Sequence, residues 1–263
     1  MEHPADEYSC FRLIRIGHKG ADAIRQGNTL PSFVAAAMAG AEVIELDVLR
    51  PESDFGSGVD WRRAPAGPAT ATGPLLVAHD WGDARRREPL TLTEALDALA
   101  RAPLAQVTID LDLKLAGRED EIVAAVRQHD LLGRTMVSTM EVQSLAYLRD
   151  HEPSLRRGWT LPKVRRDWTR SRWGRPVVLA GSASLRARLP GMIRRHAPKL
   201  GVWAVWVYHP LVTRRVVDSA HAAGVRVIAW TVDDLDRMRA LAALGVDGIC
   251  SNDPRLLAAL ERE

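Results

Sequence analysis

Residues 214–251, RRVVDSAHAAGVRVIAWTVDDLDRMRALAALGVDGICS, hold in one stretch the alternation that decides the fold. In RRVVDSAHAAG the apolar residues return every three to four positions, and the run closes on Gly224, a residue suited to a left-handed helix C-cap. Arg226–Val232 follows, short and β-branched. DLDRMRALAALG then restores the helical period and closes on Gly245, and Gly248–Ser251 is again a short apolar run. Helix, strand, helix, strand in succession is the pattern of a parallel sheet whose crossovers are helices.

The alternation extends back to Leu13. Strands are predicted at Leu13–Gly17, Val43–Leu49, Gln106–Leu113, Thr135–Thr139, Arg156–Thr160 and Ala204–Tyr208, in addition to the two above, with helical patterns such as TLPSFVAAAMAG and EDEIVAAVRQHD between them. The run Leu75–Ala78 follows the second strand too closely for a crossover helix, so it is expected to form a hairpin with that strand and to carry His79 and Asp80. Eight strand and helix units predict an α/β fold of the (β/α)8 TIM barrel type, although an open doubly wound sheet has the same periodicity. The 263 residues suit one barrel, which typically needs about 250. We read a single domain over residues 1–263, with a core at about 14–254. It carries a loop insertion at 50–73 rich in Gly, Pro, Ala, Ser and Thr.

Composition narrows the function classes. Lys and Arg number 36 against 33 Asp and Glu, a net +3 that does not favour nucleic-acid binding. No run approaches the roughly 18 to 20 apolar residues of a membrane span, and MEHPADEYSCFRLIRIG lacks the basic and apolar regions of an export signal. The expectation is a soluble, cytoplasmic protein. Cys10 and Cys250 have no metal-ligand spacing and are expected at opposite ends of neighbouring strands, without a disulfide. Positive charge is concentrated locally: Arg156, Arg157, Lys163, Arg165, Arg166, Arg170, Arg172 and Arg175 are opposed only by Asp167, and Trp159, Trp168 and Trp173 are interleaved with them. Such a segment reads either as a solvated arginine-rich loop or as a peripheral contact with an anionic lipid surface.

The chemistry is concentrated in two strands. In VIELDVL, Glu45 and Asp47 are two residues apart and share a strand face. Alone, that spacing more often marks a strand whose acids face solvent. TIDLDLK changes the balance, because Asp110, Asp112 and Lys114 share a face by the same period while Ile109, Leu111 and Leu113 supply an apolar face for helices. Acids aimed into a barrel need compensation, and an oxygen-only ligand set favours one hard divalent cation, Mg²⁺ or Ca²⁺. Asp112, nearer the carboxyl end, is the third candidate ligand; Asp110 lies deeper and is expected to pair with a base. Lys114 is placed to neutralise an anionic substrate. His18 in IGHKG and His79 in VAHD fall at the carboxyl ends of strands, where barrel chemistry gathers, and two histidines flanking a phosphate can act as general base and general acid.

GHKG, NTLPSFVAAAMAGAEVIELDV, VAHD, PLTLTEAL, DLDLK, VIAWTVDD and GVDGICSNDP, in this order, resemble the motifs of glycerophosphodiester phosphodiesterases over about Ile14 to Pro254. The resemblance implies a (β/α)8 barrel that hydrolyses glycerophosphodiesters to glycerol 3-phosphate and an alcohol with one divalent cation. It places the two catalytic histidines on His18 and His79 and the metal ligands on Glu45, Asp47 and Asp112. Asp112 stands where the family usually has glutamate, and Asp-Leu-Lys is similar to the arrangement in sphingomyelinase D-type barrels. Lys19 stands for the family's phosphate-binding arginine, which keeps the charge but not the planar fork. Gln26-Gly27-Asn28-Thr29 stands for Pro-Glu-Asn-Thr, without the acid. Trp230 is similar to a family tryptophan that packs against substrate. The short Trp81–Glu88 bridge between His79 and Pro89 suggests an open groove. Two alternatives follow: a lysophospholipase D or sphingomyelinase D-like enzyme at lipid surfaces, and a non-catalytic phosphate-ligand binding barrel. A small-molecule or lipid phosphodiester is the expected partner, and the oligomeric state is left open.

Overall fold

The computed structural model describes residues 13–55, 73–163 and 175–260. In chain order the elements are β1 (Ile14–Gly17), α1 (Leu30–Met38), β2 (Val43–Leu49), β3 (Leu76–Val77), α2 (Trp81–Arg86), α3 (Leu92–Leu99), β4 (Thr108–Leu113), α4 (Glu119–Gln128), β5 (Thr135–Thr139), α5 (Val142–His151), β6 (Arg156–Leu161), α6 (Arg175–Leu200), β7 (Ala204–Tyr208), α7 (Arg214–His221), β8 (Arg226–Trp230), α8 (Leu235–Ala243), β9 (Gly248–Ser251) and α9 (Pro254–Leu260). Eight parallel strands close through β1 pairing with both β9 and β2, so the open-sheet alternative is excluded. β3 runs antiparallel to β2 through Val48–Val77 and Leu49–Leu76, the hairpin expected from its short spacing.

Local chemistry starts the helices. Thr29 caps α1 and exchanges bonds with Ser32, Thr91 caps α3 and does the same with Glu94, and Asp234 accepts the Arg237 N–H at the start of α8. Gly40, Gly224 and Gly245 all take positive φ just beyond helices, as their positions in sequence predicted. β2, β5, β7 and β9 match their predicted bounds. β4 starts two residues late because the Val107 N–H turns back to Leu104, and β8 stops at Trp230. The bridge after His79 folds into α2, whose Trp81 is buried against Leu49, Ala78 and Phe55 and donates its indole N–H to the Arg50 carbonyl at 2.8 Å.

The strands present alternate residues to two different surroundings. Ile44, Leu46 and Val48 of β2 and Ile109, Leu111 and Leu113 of β4 pack outward against Phe33, Leu96, Ile122 and Val126 of the helices. Val205, Val207, Val227 and Ala229 do the same beneath α6 to α8. At about 1.5 to 3 kcal/mol for each fully buried aliphatic side chain, this outer shell supplies the stability that inward-facing charge consumes. Inside, the ladder registers stack layers of four drawn from alternate strands. Ile16, Asp110, Gly158 and Ile228 form one; Glu45, Ser138, Trp206 and Cys250 lie above it; His18, Asp112, Thr160 and Trp230 come next towards the carboxyl ends. Gly158 is required by packing, since a Cβ there would lie 2.5 Å from Trp206 Nε1. Ionisable groups therefore gather towards the carboxyl end of the interior, with buried Asp110 the deepest of those in these layers.

Two expectations are corrected. Asp110 does not pair with a base: it accepts the Ser138 hydroxyl at 2.7 Å, and burial raises its carboxyl well above the usual range. Arg156, Arg157 and Trp159 lie on the strand predicted at Arg156–Thr160, so an exposed arginine-rich loop does not include them. The Arg157 guanidinium is buried and donates to the carbonyls of Leu155 and Gly201 at the amino end of the barrel, away from the acids, and Trp159 packs beneath α6. Lys163 pairs with Glu141 at 2.6 Å. Arg165, Arg166, Trp168, Arg170, Arg172 and Trp173, residues 56–72 of the insertion, and Cys10 lie outside the described residues. Cys250 is a buried free thiol. Arg118, also buried, donates to the Gly73 carbonyl at 2.8 Å and to Asp54 at 3.3 Å, joining the two flanks of the insertion. Among the described residues no helix is long and apolar enough to cross a membrane.

Candidate active site

β2 and β4 lie side by side in a register that sets Glu45 opposite Asp110 and Asp47 opposite Asp112. Glu45, Asp47 and Asp112 each bring a carboxylate oxygen to one place, with the three oxygens within 4.8 Å of one another. Lys114, beyond the end of β4, folds back so that its Nζ lies 2.5 Å from Asp47 Oδ1 and 2.5 Å from Asp112 Oδ2. Asp47 is completely buried and is held on its other side by Asn28, whose Nδ2 donates to Asp47 Oδ2 at 2.7 Å and whose Oδ1 accepts the Asp47 N–H at 3.1 Å.

The electrostatics of the cluster are uneven. Burial alone would raise the Asp47 carboxyl, but Lys114, then Lys19, His79 and His18, reverse that and hold it well below the carboxylate range. Burial, reinforced by Asp47, pushes Glu45 far up. Asp112 is also raised by burial, against the opposing pull of Lys114. Burial disfavours the Lys114 ammonium, yet Asp112, Asp47 and Glu45 together raise its proton affinity above that of a free lysine. Three carboxylates and one ammonium leave the group short of positive charge. An all-oxygen donor set of this kind fits a hard divalent cation.

His18 and Lys19 arrive on the turn after β1. Gly20 takes φ +84° there, and a Cβ on it would lie 2.6 Å from Ser32 Oγ, so the turn closes tightly on the start of α1. This brings the Lys19 N–H to Glu45 Oε2 at 2.7 Å and the Lys19 carbonyl to the Ser32 hydroxyl at 2.7 Å. His18 is anchored to β9 by its N–H on the Ser251 carbonyl at 2.8 Å, and its Nδ1 lies 2.6 Å from Asn252 Oδ1. Burial lowers the imidazole to about 4, with Lys19 adding to the effect and Asp47 opposing it. It is neutral at neutral pH.

His79 reaches the same mouth by the β3 ribbon rather than on a barrel strand. Its N–H meets Asp83 Oδ2 at 3.2 Å and its Nδ1 meets Asp80 Oδ2 at 3.3 Å, while Asp83 is itself braced by Arg87 at 2.9 Å. Burial lowers this imidazole too, and Asp47 and Asp80 pull the other way. Its side chain remains 44% exposed, so it is the histidine open to solvent. Trp230 faces the acids across the barrel, half-buried, its ring centroid 5.6 Å from that of Tyr208.

All eight residues singled out from sequence, His18, Lys19, Glu45, Asp47, His79, Asp112, Lys114 and Trp230, therefore gather at the carboxyl end of the barrel. Sequence reasoning assigned no role to Asn28, Asn252 or Asp233. Asn28 was legible only as a neighbour of Gly27. Asn252 and Asp233 were visible as polar residues at the carboxyl ends of the last two strands, which is the one signal that marks them. Gly27 carries no acid, but the Asp22 carboxylate accepts its N–H at 2.7 Å and occupies the space beside it, where a Cβ would lie 2.6 Å from Asp22 Oδ1.

The chain is similar to known proteins along most of its length. The chain is 26% identical over 257 residues to "Probable glycerophosphodiester phosphodiesterase 2" of Mycobacterium tuberculosis, covering 93% of this chain and 89% of that protein. It is 40% identical over 60 residues to the glycerophosphodiester phosphodiesterase GDPD4 of Arabidopsis thaliana, a match that spans only 18% of the plant protein. Its fold is similar to that of a glycerophosphodiester phosphodiesterase from Parabacteroides distasonis, with a TM-score of 0.67 at 17% identity over 94% of this chain and 96% of the other. It is also similar to an Oleispira antarctica phosphodiesterase solved with the product sn-glycerol-3-phosphate, with a TM-score of 0.62 at 18% identity over 94% and 96%. The family model for the glycerophosphoryl diester phosphodiesterase family matches residues 96–256, more than half of the chain. With the acid cluster and paired histidines at the mouth of a closed barrel, this match establishes that the chain belongs to the glycerophosphoryl diester phosphodiesterase family, an enzyme family of phosphoric diester hydrolases.

Proposed function

We propose that this chain hydrolyses small glycerophosphodiesters to glycerol 3-phosphate and an alcohol, with Glu45, Asp47 and Asp112 holding one Mg²⁺ or Ca²⁺. The observation that carries the reading is the convergence of three carboxylates within 4.8 Å at the barrel mouth that also receives His18 and His79. When bound, the cation supplies neutralisation of a phosphate oxygen. The protein's own groups do the rest. Lys19 and Lys114 bring fixed positive charge to the negative charge developing on the phosphoryl oxygens. His18, enclosed and neutral, accepts the proton of the attacking oxygen, either water or the substrate's vicinal hydroxyl. An anionic phosphodiester beside it favours the imidazolium and brings its proton affinity towards the working range. His79, the solvent-open histidine paired with Asp80, takes up a proton from solvent as the imidazolium and delivers it to the departing alkoxide. Trp230 and Tyr208 offer an aromatic wall to the alcohol.

Phosphorus NMR of the protein with glycerophosphocholine and lysophosphatidylcholine together tests this, with Mg²⁺ or Ca²⁺ added and a chelated control. Chelator-sensitive glycerol 3-phosphate is the expected product. A lysophosphatidic or cyclic phosphate product would assign the barrel to lipid substrates instead, and binding without turnover would make it a phosphate-ligand binder.

A further inference from the structure

The aromatic wall of the barrel mouth leads outward to a positively charged turn. Tyr208 and Trp230 are partners in the ladder between β7 and β8, and immediately after Tyr208 the chain makes a 3₁₀ turn, His209–Leu211. The Tyr208 and His209 rings meet edge to face with centroids 5.4 Å apart. Two guanidiniums from different helices grip the carbonyls of this turn. Arg186 of α6 donates to the Pro210 carbonyl through Nε at 2.8 Å and also through Nη2. Arg237, in the first turn of α8, donates through Nη2 to the His209 carbonyl and through Nε to His209 Nδ1 at 3.2 Å. Nδ1 therefore accepts, which leaves the imidazole proton on Nε2 as a further donor.

Among the described residues neither guanidinium meets a carboxylate, and each keeps N–H groups that no protein acceptor takes. The neighbouring acids are engaged elsewhere. Asp234 accepts the Arg237 backbone N–H at 2.7 Å as the cap of α8, and Asp233 accepts the backbone N–H and side-chain amide of Asn252. Two like charges on consecutive carbonyls repel; after burial, the Arg186 charge is what lowers the proton affinity of Arg237. A dianion set between them would relieve that repulsion and take charge-assisted bonds from both.

We propose that Arg186, Arg237 and His209 form a subsite for a phosphate group carried by the alcohol portion of the substrate. The inference rests on the proposed function and narrows its substrate class. A phosphorylated alcohol laid along Trp230 and Tyr208 directs its phosphate to the turn, while the diester stays at the acids. Water then cleaves the bond between the diester phosphorus and the alcohol oxygen, and the products are glycerol 3-phosphate and the phosphorylated alcohol.

The test is a preference ratio. With Mg²⁺ or Ca²⁺ added, the parent is expected to hydrolyse glycerophosphoinositol 4-phosphate with a kcat/KM at least about 10-fold above that for glycerophosphoinositol. Arg186→Gln, at an exposed helix position, and Arg237→Gln are each expected to lower the ratio, and the double variant to bring the two diesters to equality. The ratio is internal to each protein, so a general loss of activity does not move it. Equal kcat/KM values in the parent, or a ratio unchanged in the folded double variant, overturn the proposal. A second arm needs no turnover. In chelator, calorimetry is expected to show that inositol 4-phosphate binds the parent while inositol does not, and that Arg186→Gln binds it about 10-fold more weakly. Equal binding by parent and variant overturns the site. If the parent binds inositol 4-phosphate through these arginines yet hydrolyses neither diester, the hydrolytic reading fails and the anion site stands. If the substitutions leave the ratio unchanged but abolish binding to vesicles of equimolar phosphatidylcholine and phosphatidylserine, the arginines face a lipid surface and the substrate subsite is overturned.

Discussion

Lys114→Met removes one ammonium and keeps most of the length of the side chain, so it tests chiefly the charge that neutralises the acid cluster. In the folded protein that ammonium lies 2.5 Å from both Asp47 Oδ1 and Asp112 Oδ2, and its own side chain is only 14% exposed. Without it, three buried carboxylates face one another. Removing one partner of a buried ion pair typically costs about 3 to 5 kcal/mol. For a chain of this size, with about 2 to 4 °C of melting temperature per kcal/mol, the expected loss in chelator is about 6 to 20 °C. Two controls separate this electrostatic cause from a packing defect. Towards pH 5 the loss should shrink, since Glu45 and Asp112, already raised by burial, take up protons and relieve the repulsion. On adding Mg²⁺ or Ca²⁺ the variant should gain more than the parent, because the ammonium no longer competes for Asp47 and Asp112. Thermal unfolding by circular dichroism in chelator, then at millimolar cation, reads both. A loss below about 2 °C in chelator, or a cation response no larger than the parent's, would refute the view that Lys114 compensates the cluster.

The remaining predictions concern both the chemistry and the frame. His18→Ala and His79→Ala should each lower turnover of glycerophosphocholine by about 10²- to 10⁴-fold with unfolding midpoints close to the parent's; near-normal turnover removes that histidine from the mechanism. Asp110→Asn should stabilise chelated protein increasingly as pH rises from the ordinary carboxylate range. The folded state holds the Asp110 proton more tightly than the unfolded chain, so the parent loses that contribution with rising pH while the amide keeps an acceptor for Ser138. Urea midpoints from pH 5 to pH 8 check it, and a variant weaker than the parent at pH 8 contradicts it. Gly158→Ala would set a methyl 2.5 Å from Trp206 Nε1, and the overpacking should destabilise by about 1 to 3 kcal/mol in denaturant titration.

The strands were legible because parallel barrel staves carry short apolar runs rich in β-branched residues. VIELDVL and AVWVY were bounded correctly for that reason. α2 was not legible, since WGDARR is too short to show a period and is held by Asp80 at its start and Trp81 beneath it. The acids were legible because a period of two fixes which side chains share a strand face. Their mutual distances depend on the register between β2 and β4, which no single strand encodes. The pairing of His18 with Asn252 was beyond reach for a stronger form of the same reason: the two are 234 positions apart and meet only because the first strand closes against the last. Arg157 was placed correctly on its strand, but counting it into one basic segment summed charge along the chain, while the barrel turns successive strand residues to different surroundings.

Arg118 has a consequence for how this barrel tolerates change. By gripping Asp54 on one side and the Gly73 carbonyl on the other, it makes the two ends of the intervening chain a fixed pair of posts. Whatever is strung between them can lengthen at little entropic expense, since each doubling of a loop adds only about 0.6 kcal/mol. The strand that delivers His79 starts on the far side of the second post, so it is insulated from that variation. The sequence between those posts is thus a natural splice point, where added residues need not re-register the barrel strands.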